Sequence, residues 1–319
     1  LAEFKRDVLD FYDCFTVGEG PRMEPEVALS YVREGKDKVL DMMINFAHME
    51  ADCFITDFLQ RPFDLVKLKK AFTKWQTKMY GKGWNALYME NHDHPRIISR
   101  YGSEKYRVES GKSIAASYLF QRGTPFVYQG QEIGMINTPL PSLDDYKDIM
   151  VKNNARIARS LGLSKETVLR LAQKASRDNA RTCMQWSGAP NAGFTNGKPW
   201  FVVNSNYKDI NVESQLDDPG SILNFYRDAL QFRRDNPVVI YGDYVEHMPK
   251  SRELYVYERN LAGKKLLVIC SYSEKCVRFD APEGITLDET KQVFGNYDNN
   301  FVISNGFTTR PYEMRVYLF

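Results

Sequence analysis

The residues best suited to chemistry in this sequence stand directly after short apolar runs. Glu19 closes the run at 14–18 and is succeeded by Gly20 and Pro21. A carboxyl partly desolvated by neighbouring strand ends can have a raised pKa and serve as a general acid; the plainer alternative is a surface glutamate. Asn91, His92, Asp93, His94, Pro95 and Arg96 bring two imidazoles, a carboxylate and a guanidinium together after the run at 84–89. Metal ligation is one reading of that group. But His92 and His94 alternate with Asp93, so from an extended segment they point away from it, and only His48 and His247 exist elsewhere. The better reading is a carboxylate flanked by a hydroxyl-binding histidine, with no metal and no cofactor expected. Arg181, within 178–186, can donate paired hydrogen bonds to vicinal hydroxyls or serve a structural ion pair.

The elements that must position these groups follow a repeating order. Residues 2–12 have helical spacing, with Phe4, Val8, Leu9 and Tyr12 on one face. Apolar runs at 14–18, 40–46, 84–89 and 125–128 read as strands, each ending in polar residues and each followed by helical periodicity. The helix at 64–79 reads as amphipathic with a basic outer face. Strand, polar C-terminal end, helix, repeated four times, is the grammar of a parallel α/β barrel, whose catalytic groups sit at the strand C-termini. A whole barrel has eight such units over roughly 250 residues. Residues 142–175 read as helical and 177–207 as a long loop containing Trp186 and Trp200. A helix at 220–235 is next, and from 238 the texture alternates as short strands at 238–247, 254–260, 264–273, 276–280, 301–304 and 314–319. The division expected is 1–236 for the barrel units and 237–319 for a small antiparallel β domain.

Composition excludes several classes. Lys and Arg number 43 against 41 Asp and Glu, so no basic field argues for nucleic acid. No 18-residue apolar run suggests a membrane span. Five widely spaced cysteines, without metal-ligand spacing, fit reduced thiols in a cytoplasmic protein. The 13% aromatic content suits either an aromatic core or a site that stacks sugar rings.

In their joint order, four segments carry more than any one of them: TVGE at 16–19, ENHDHPR at 90–96, PFVYQGQEIGM at 125–135 and DNARTCMQW at 178–186. With the loop at 191–212 and the tail TTRPYEMRVY at 308–317, they resemble the family-13 glycoside hydrolases over nearly the whole chain. The similarity is to the subgroup of oligo-1,6-glucosidase, dextran glucosidase and trehalose-6-phosphate hydrolase. The resemblance implies an α/β fold: the second half of a (β/α)8 barrel (units 5–8), then a small antiparallel β-sandwich. It implies retaining hydrolysis of α-glucosidic bonds in short gluco-oligosaccharides. Glu19 then matches the acid/base, Asp93 the transition-state stabiliser, His92 its hydroxyl-binding neighbour, and Arg181 the arginine gripping the terminal glucose.

Departures from the family pattern set further expectations. The family nucleophile stands in a G-x-R-x-D-type motif upstream of the acid/base, and nothing before Glu19 resembles it. The chain opens at Leu1 in amphipathic pattern without an initiator Met, so the true N-terminus and the first four units are expected to lie upstream. The chain alone is expected to be inactive. Its open barrel edge should pair with a second copy, require a complementary N-terminal half, or be relieved by rearrangement. Glu90 stands where the subgroup often has Asn, His94 for Gln, Gln131 for Glu and Cys183 for Pro. Two other classes share the barrel. Non-catalytic transporter heavy chains lose the carboxylates, which are present here. Sucrose-isomerising relatives carry an R-L-D-R-D-like segment ahead of the NHD motif, which 55–65 lacks.

Overall fold

The structure, a computed structural model, describes residues 1–54, 58–298 and 305–319. The start of the 55–65 stretch and the strand expected at 301–304 lie outside the described residues.

The first half is an open parallel sheet with helices on its outer side. After α1 (Ala2–Asp7) come β1 (Val17–Gly20), α2 (Pro25–Val32), β2 (Met42–Asn45), α3 (Leu65–Met79), β3 (Ala86–Leu87), α4 (Ile97–Tyr101), α5 (Arg107–Leu119) and β4 (Thr124–Pro125). β1 pairs β2 in parallel, a parallel Met43–Asn85 bridge links β2 to the segment leading into β3, and β3 pairs β4 in parallel. The four strands keep sequential order, so the half-barrel is not rearranged among the described residues. α3 shows why the helix layer forms. Asp64 caps it by accepting the Val66 N–H at 3.0 Å, and Leu65, Leu68, Phe72, Trp75 and Met79 are buried at helical spacing. Lys69, expected on the basic outer face, is buried instead. Its ammonium donates to the carbonyls of Met248 and Leu254, because the β domain covers that side of the helix.

Two other expectations change at the start of the chain. The helix expected over 2–12 ends at Asp7, a 3-10 turn follows at Leu9–Phe11, and neither buries a residue. Most of its apolar side chains lie in solvent, with Phe11 76% and Tyr12 69% exposed, and Leu9 alone of that face is half-buried. β1 begins at Val17, so Glu19 lies within the strand.

The 142–175 segment is two helices, α6 (Ile149–Ser160) and α7 (Lys165–Ala175), separated where Gly162 takes φ +88° and Ser164 caps the second. They form their own apolar cluster with Phe58, Leu140, Tyr146 and Phe201. After α8 (Glu213–Leu216) and α9 (Ile222–Asp235), the strand expected from 238 opens as a helix, α10 (Pro237–Tyr241), with Pro237 at its first turn. Arg259 fastens its end, donating to the Val239 and Gly242 carbonyls.

The second half is an antiparallel sheet in the order β5 (Val245–His247), β6 (Leu254–Leu261), β7 (Lys264–Ser271), β11 (Met314–Leu318), β9 (Gln292–Gly295). A separate pair joins β8 (Arg278–Asp280) to β10 (Gly306–Thr308). Ala262 and Gly263, both at positive φ, make the two-residue turn of the β6–β7 hairpin. Alternation along β6 and β7 serves two cores. Tyr255, Tyr257, Leu266 and Val268 join the cluster with α5, α9 and α10; Leu254, Val256, Leu267 and Ile269 meet Phe279 and Phe307 of the β8–β10 pair.

Candidate functional site

The C-terminal ends of the parallel strands carry the polar groups, and local sequence explains their aim. In β1 a Cβ on Gly18 would come within 2.7 Å of Leu40 Cδ1 and Met43 Sδ, so a larger residue there would push the ends of those two side chains aside. The two-residue period then turns Glu19 to the opposite face. Glu19 and Asp93 line one cavity of about 530 Å3, with Phe46, His94, Met150 and Arg177 among its walls. Tyr88 lies buried beside both carboxylates. Burial first, then Tyr101, Glu19 and, more weakly, Asp93 hold its phenol well above the usual range, so it stays neutral. The desolvation expected around Glu19 is not present: the side chain is exposed, because among the described residues β1 is an edge strand paired with β2.

Asp93 sits in a turn rather than an extended segment. Asn91 Oδ1 accepts the Asp93 N–H at 2.9 Å, an Asx-type closure. That turn overturns the expectation that His92 points away: its Nε2 lies 3.5 Å from Asp93 Oδ2. His94 is buried against Phe46, with neither ring nitrogen partnered among the described residues. Burial first, then Arg100 and His48, hold the His94 imidazole well below its ordinary value, so it is neutral.

Arg181 approaches from the loop after α7. Its Nη2 donates to Asp93 Oδ1 at 2.8 Å and its Nε to the His92 carbonyl at 2.9 Å. All four residues nominated from sequence are therefore assembled: Arg181 and His92 on Asp93, with Glu19 across the cavity.

Sequence reading missed Arg177. It donates to Asp93 Oδ1 at 3.4 Å while its Nη2 holds Asp148 Oδ1 at 2.6 Å. Asp148 caps α6 through the Met150 N–H and also accepts the Arg177 N–H. Burial opposes ionisation of Asp148, yet these donors together keep its carboxyl below the ordinary range, and Arg177 is raised in turn. The arginine spacing at 177 and 181 was the available signal. Arg177 opens the 3-10 turn Arg177–Asn179 and Arg181 lies just beyond its Ala180 cap, and both reach Asp93 Oδ1. Two guanidiniums on one carboxylate oxygen leave Asp93 Oδ2 facing His92, an arrangement able to accept hydrogen bonds from vicinal hydroxyls. Among the described residues, no group of three or more His, Cys, Asp or Glu is placed to hold a metal ion.

An open parallel half-sheet with carboxylates at its strand ends, followed by an antiparallel sheet, is the architecture of a glycoside-hydrolase barrel. Comparison with known proteins agrees. Residues 1–242 match the alpha-amylase family (alpha amylase, catalytic domain), and the chain belongs to that family. It is 40% identical over 321 residues to the oligo-1,6-glucosidase of Parageobacillus thermoglucosidasius and 36% identical over 321 residues to the trehalose-6-phosphate hydrolase of Bacillus subtilis (strain 168). Each alignment covers 99% of this chain and 57% of the relative, so the chain spans somewhat over half the length of the curated relatives it matches. Among solved structures, the trehalose-6-phosphate hydrolase of Bacillus licheniformis superposes with a TM-score of 0.93 at 39% identity, covering 99% of this chain and 58% of that one. The isomaltulose synthase of Klebsiella sp. LX3 gives 0.93 at 31%, covering 99% and 57%.

Proposed function

We propose that this chain is the acid/base-bearing part of a retaining α-glucosidase that hydrolyses short gluco-oligosaccharides, divided near 236/237 into barrel units and β domain. The observation that carries the reading is the single cavity holding Glu19 and Asp93, with Arg177 and Arg181 both on Asp93. In this reading Glu19 protonates the leaving glycosidic oxygen and then takes the proton from the attacking water. Asp93 accepts hydrogen bonds from ring hydroxyls, which strengthen as the anomeric carbon becomes oxocarbenium-like. His92 supplies a further hydroxyl contact, and Arg181 orients Asp93 and meets the non-reducing glucose.

A retaining enzyme needs its nucleophile roughly 5–5.5 Å from the acid. A strand added alongside β1 is the element that can bring a carboxylate to that distance. It would also bury Glu19 and cover Phe15 and Val17, which are exposed on that edge. The partner proposed is therefore a complementary barrel half. The compartment proposed is the cytoplasm, because five cysteines spread widely over 319 residues suit a reducing environment.

The test is p-nitrophenyl α-glucoside turnover by this chain alone, then mixed with a complementary half-barrel, with light scattering on both samples. Turnover that arises on mixing and disappears in Glu19→Gln supports the reading. Near-normal turnover in Glu19→Gln would overturn the acid/base assignment, and turnover by the chain alone would overturn the need for a partner. A stable dimer of the chain alone would replace the complementary half with a second copy.

A further inference from the structure

Beneath the cavity, one fully buried arginine joins three loops. Arg96 Nη1 donates to the Gln129 carbonyl after β4 at 2.7 Å and lies 3.5 Å from Glu90 Oε1. Its Nη2 donates to the Ala180 carbonyl at 3.4 Å, and Tyr128 Oη donates to that same carbonyl at 3.1 Å. Ala180 immediately precedes Arg181, the residue that grips Asp93. Glu90 is equally buried. Its Oε1 also accepts the Ile97 N–H at 3.3 Å, and its Oε2 has no partner among the described residues. Glu90 is thus the carboxylate that Arg96 contacts, while Nη1 and Nη2 also hold main-chain carbonyls in the neighbouring loops, Nη2 touches Met135 Sδ at 3.6 Å, and Nε has no partner among the described residues.

We propose that Glu90 is a positioning residue: its charge anchors Arg96, Arg96 and Tyr128 anchor Ala180, and that anchor holds Arg181 against Asp93. This rests on the glucosidase reading for its functional meaning and deepens it, since the sugar-gripping pair is then assembled only while Glu90 is ionised. A buried guanidinium without its counter-charge is strongly unfavourable. On protonation of Glu90, Arg96 turns towards Glu132, the remaining carboxylate, and releases the Ala180 carbonyl.

The groups facing Glu90 make this switch accessible near neutrality. Burial pushes its carboxyl up to about 7; Arg96 and the Ile97 N–H pull it down, and Glu132 from the loop after β4 pushes it further up. Burial raises Glu132 as well. The phenols of Tyr118 on α5, Tyr226 on α9 and Tyr128 are all raised by burial and stay neutral through this range. Arg96 thus acts on two carboxyls, the buried Glu90 and the partly buried Glu132.

The experiment is side-chain 15N NMR of Arg181 in this chain across the titration, from about pH 5.5 to about pH 8.5. It needs no substrate or turnover, so its outcome is independent of whether the chain hydrolyses a glucoside. The Arg181 Nε–H, bonded to the His92 carbonyl, should be exchange-protected above about pH 7 and lose at least about tenfold in protection below it. In Glu90→Gln, protection should be low and flat with pH. An unchanged profile in Glu90→Gln would overturn the proposal, and so would a flat profile in the unaltered protein. A titration owned by His92 would survive the substitution and counts against it. Should Glu90→Gln fail to fold, 13C-carboxyl glutamate labelling of the unaltered chain gives the Glu90 midpoint directly. Coincidence with the Arg181 midpoint supports the linkage, and separation of the two refutes it.

Discussion

The antiparallel sheet and the parallel half-sheet occupy the same chain but differ in how far each is completed. β6 and β7 run eight residues each, and their central side chains are buried on both faces, by α5, α9 and α10 on one side and the β8–β10 pair on the other. The parallel strands run two to four residues, and on β1 Val17 and Glu19 are exposed. Yet every group suited to glycoside chemistry sits on the shorter, less covered sheet or on the loops above it. Completion and chemistry are separated here. The finished sheet is a platform, and the unfinished one presents strand ends, which a parallel barrel needs open at its rim.

That contrast is tested most severely by the carboxylates. In the enzyme with its barrel completed, Asp93→Asn and Glu19→Gln should each lower kcat by several orders of magnitude, on the order of 10^3-fold or more. Glu19→Gln should leave the urea midpoint of this chain almost unchanged, because that side chain is exposed. A variant that lost stability rather than turnover would show that the rim is structural after all. The next effect runs the other way. Leu267→Ala, fully buried between the β7 sheet and Phe279, should cost about 2–5 kcal/mol in urea denaturation. Val17→Ala on the bare β1 edge should cost less than about 0.5 kcal/mol. Equal costs would mean that β1 is better covered in solution than its exposed side chains indicate.

How much of this was legible in the sequence depended on whether the signal was local. Strand ends carrying Glu19 and Asp93, and the helix pattern of α3, are read from period and residue type. The long alternating runs that become β6 and β7 were equally plain. What failed was whatever tertiary contact decides. Val238 and Val239 have strand propensity, but Pro237 and the carbonyl contacts of Arg259 fix a helical turn there. Lys69 looked like an outer-face lysine until the β domain closed over it. The direction an extended segment predicts for His92 fails because Asn91 folds the loop into a turn. Nothing local marks the target of Arg177, which is 84 residues away in sequence. Sequence period reveals which face a residue takes, not which distant carboxylate it meets.

A smaller effect separates the buried floor of the site from its exposed rim by pH. His48 is buried, stacked on Phe72 and edge-on to Tyr88, and burial, reinforced by Arg100, takes its imidazole down to about 3. In the unfolded chain the same group takes a proton below about 6.5. The stability contributed by neutral His48 is therefore whole above about pH 6.5 and is lost progressively as pH falls towards 3. Glu90 acts in the opposite sense: its folded-state value is the higher one, so its contribution is whole below about pH 4.5 and declines as pH rises to about 7. Urea midpoints at several pH values should thus show a steeper rise between about pH 4.5 and pH 6.5 in Glu90→Gln than in the unaltered chain, and a shallower one in His48→Gln.

The smallest expected change is at Arg177. Its guanidinium is only one of two on Asp93, and its stronger hold is on Asp148. Arg177→Lys keeps the charge but loses the planar fork that reaches both carboxylates. In the completed enzyme this should raise KM by about three- to tenfold with kcat little altered, as expected for a contact made equally in ground and transition states. A fall in kcat with KM unchanged would instead place Arg177 among the groups that tighten on Asp93 only as the glycosidic bond breaks. The completed sheet offers no such ambiguity at Arg259 on β6, which meets only main-chain carbonyls among the described residues.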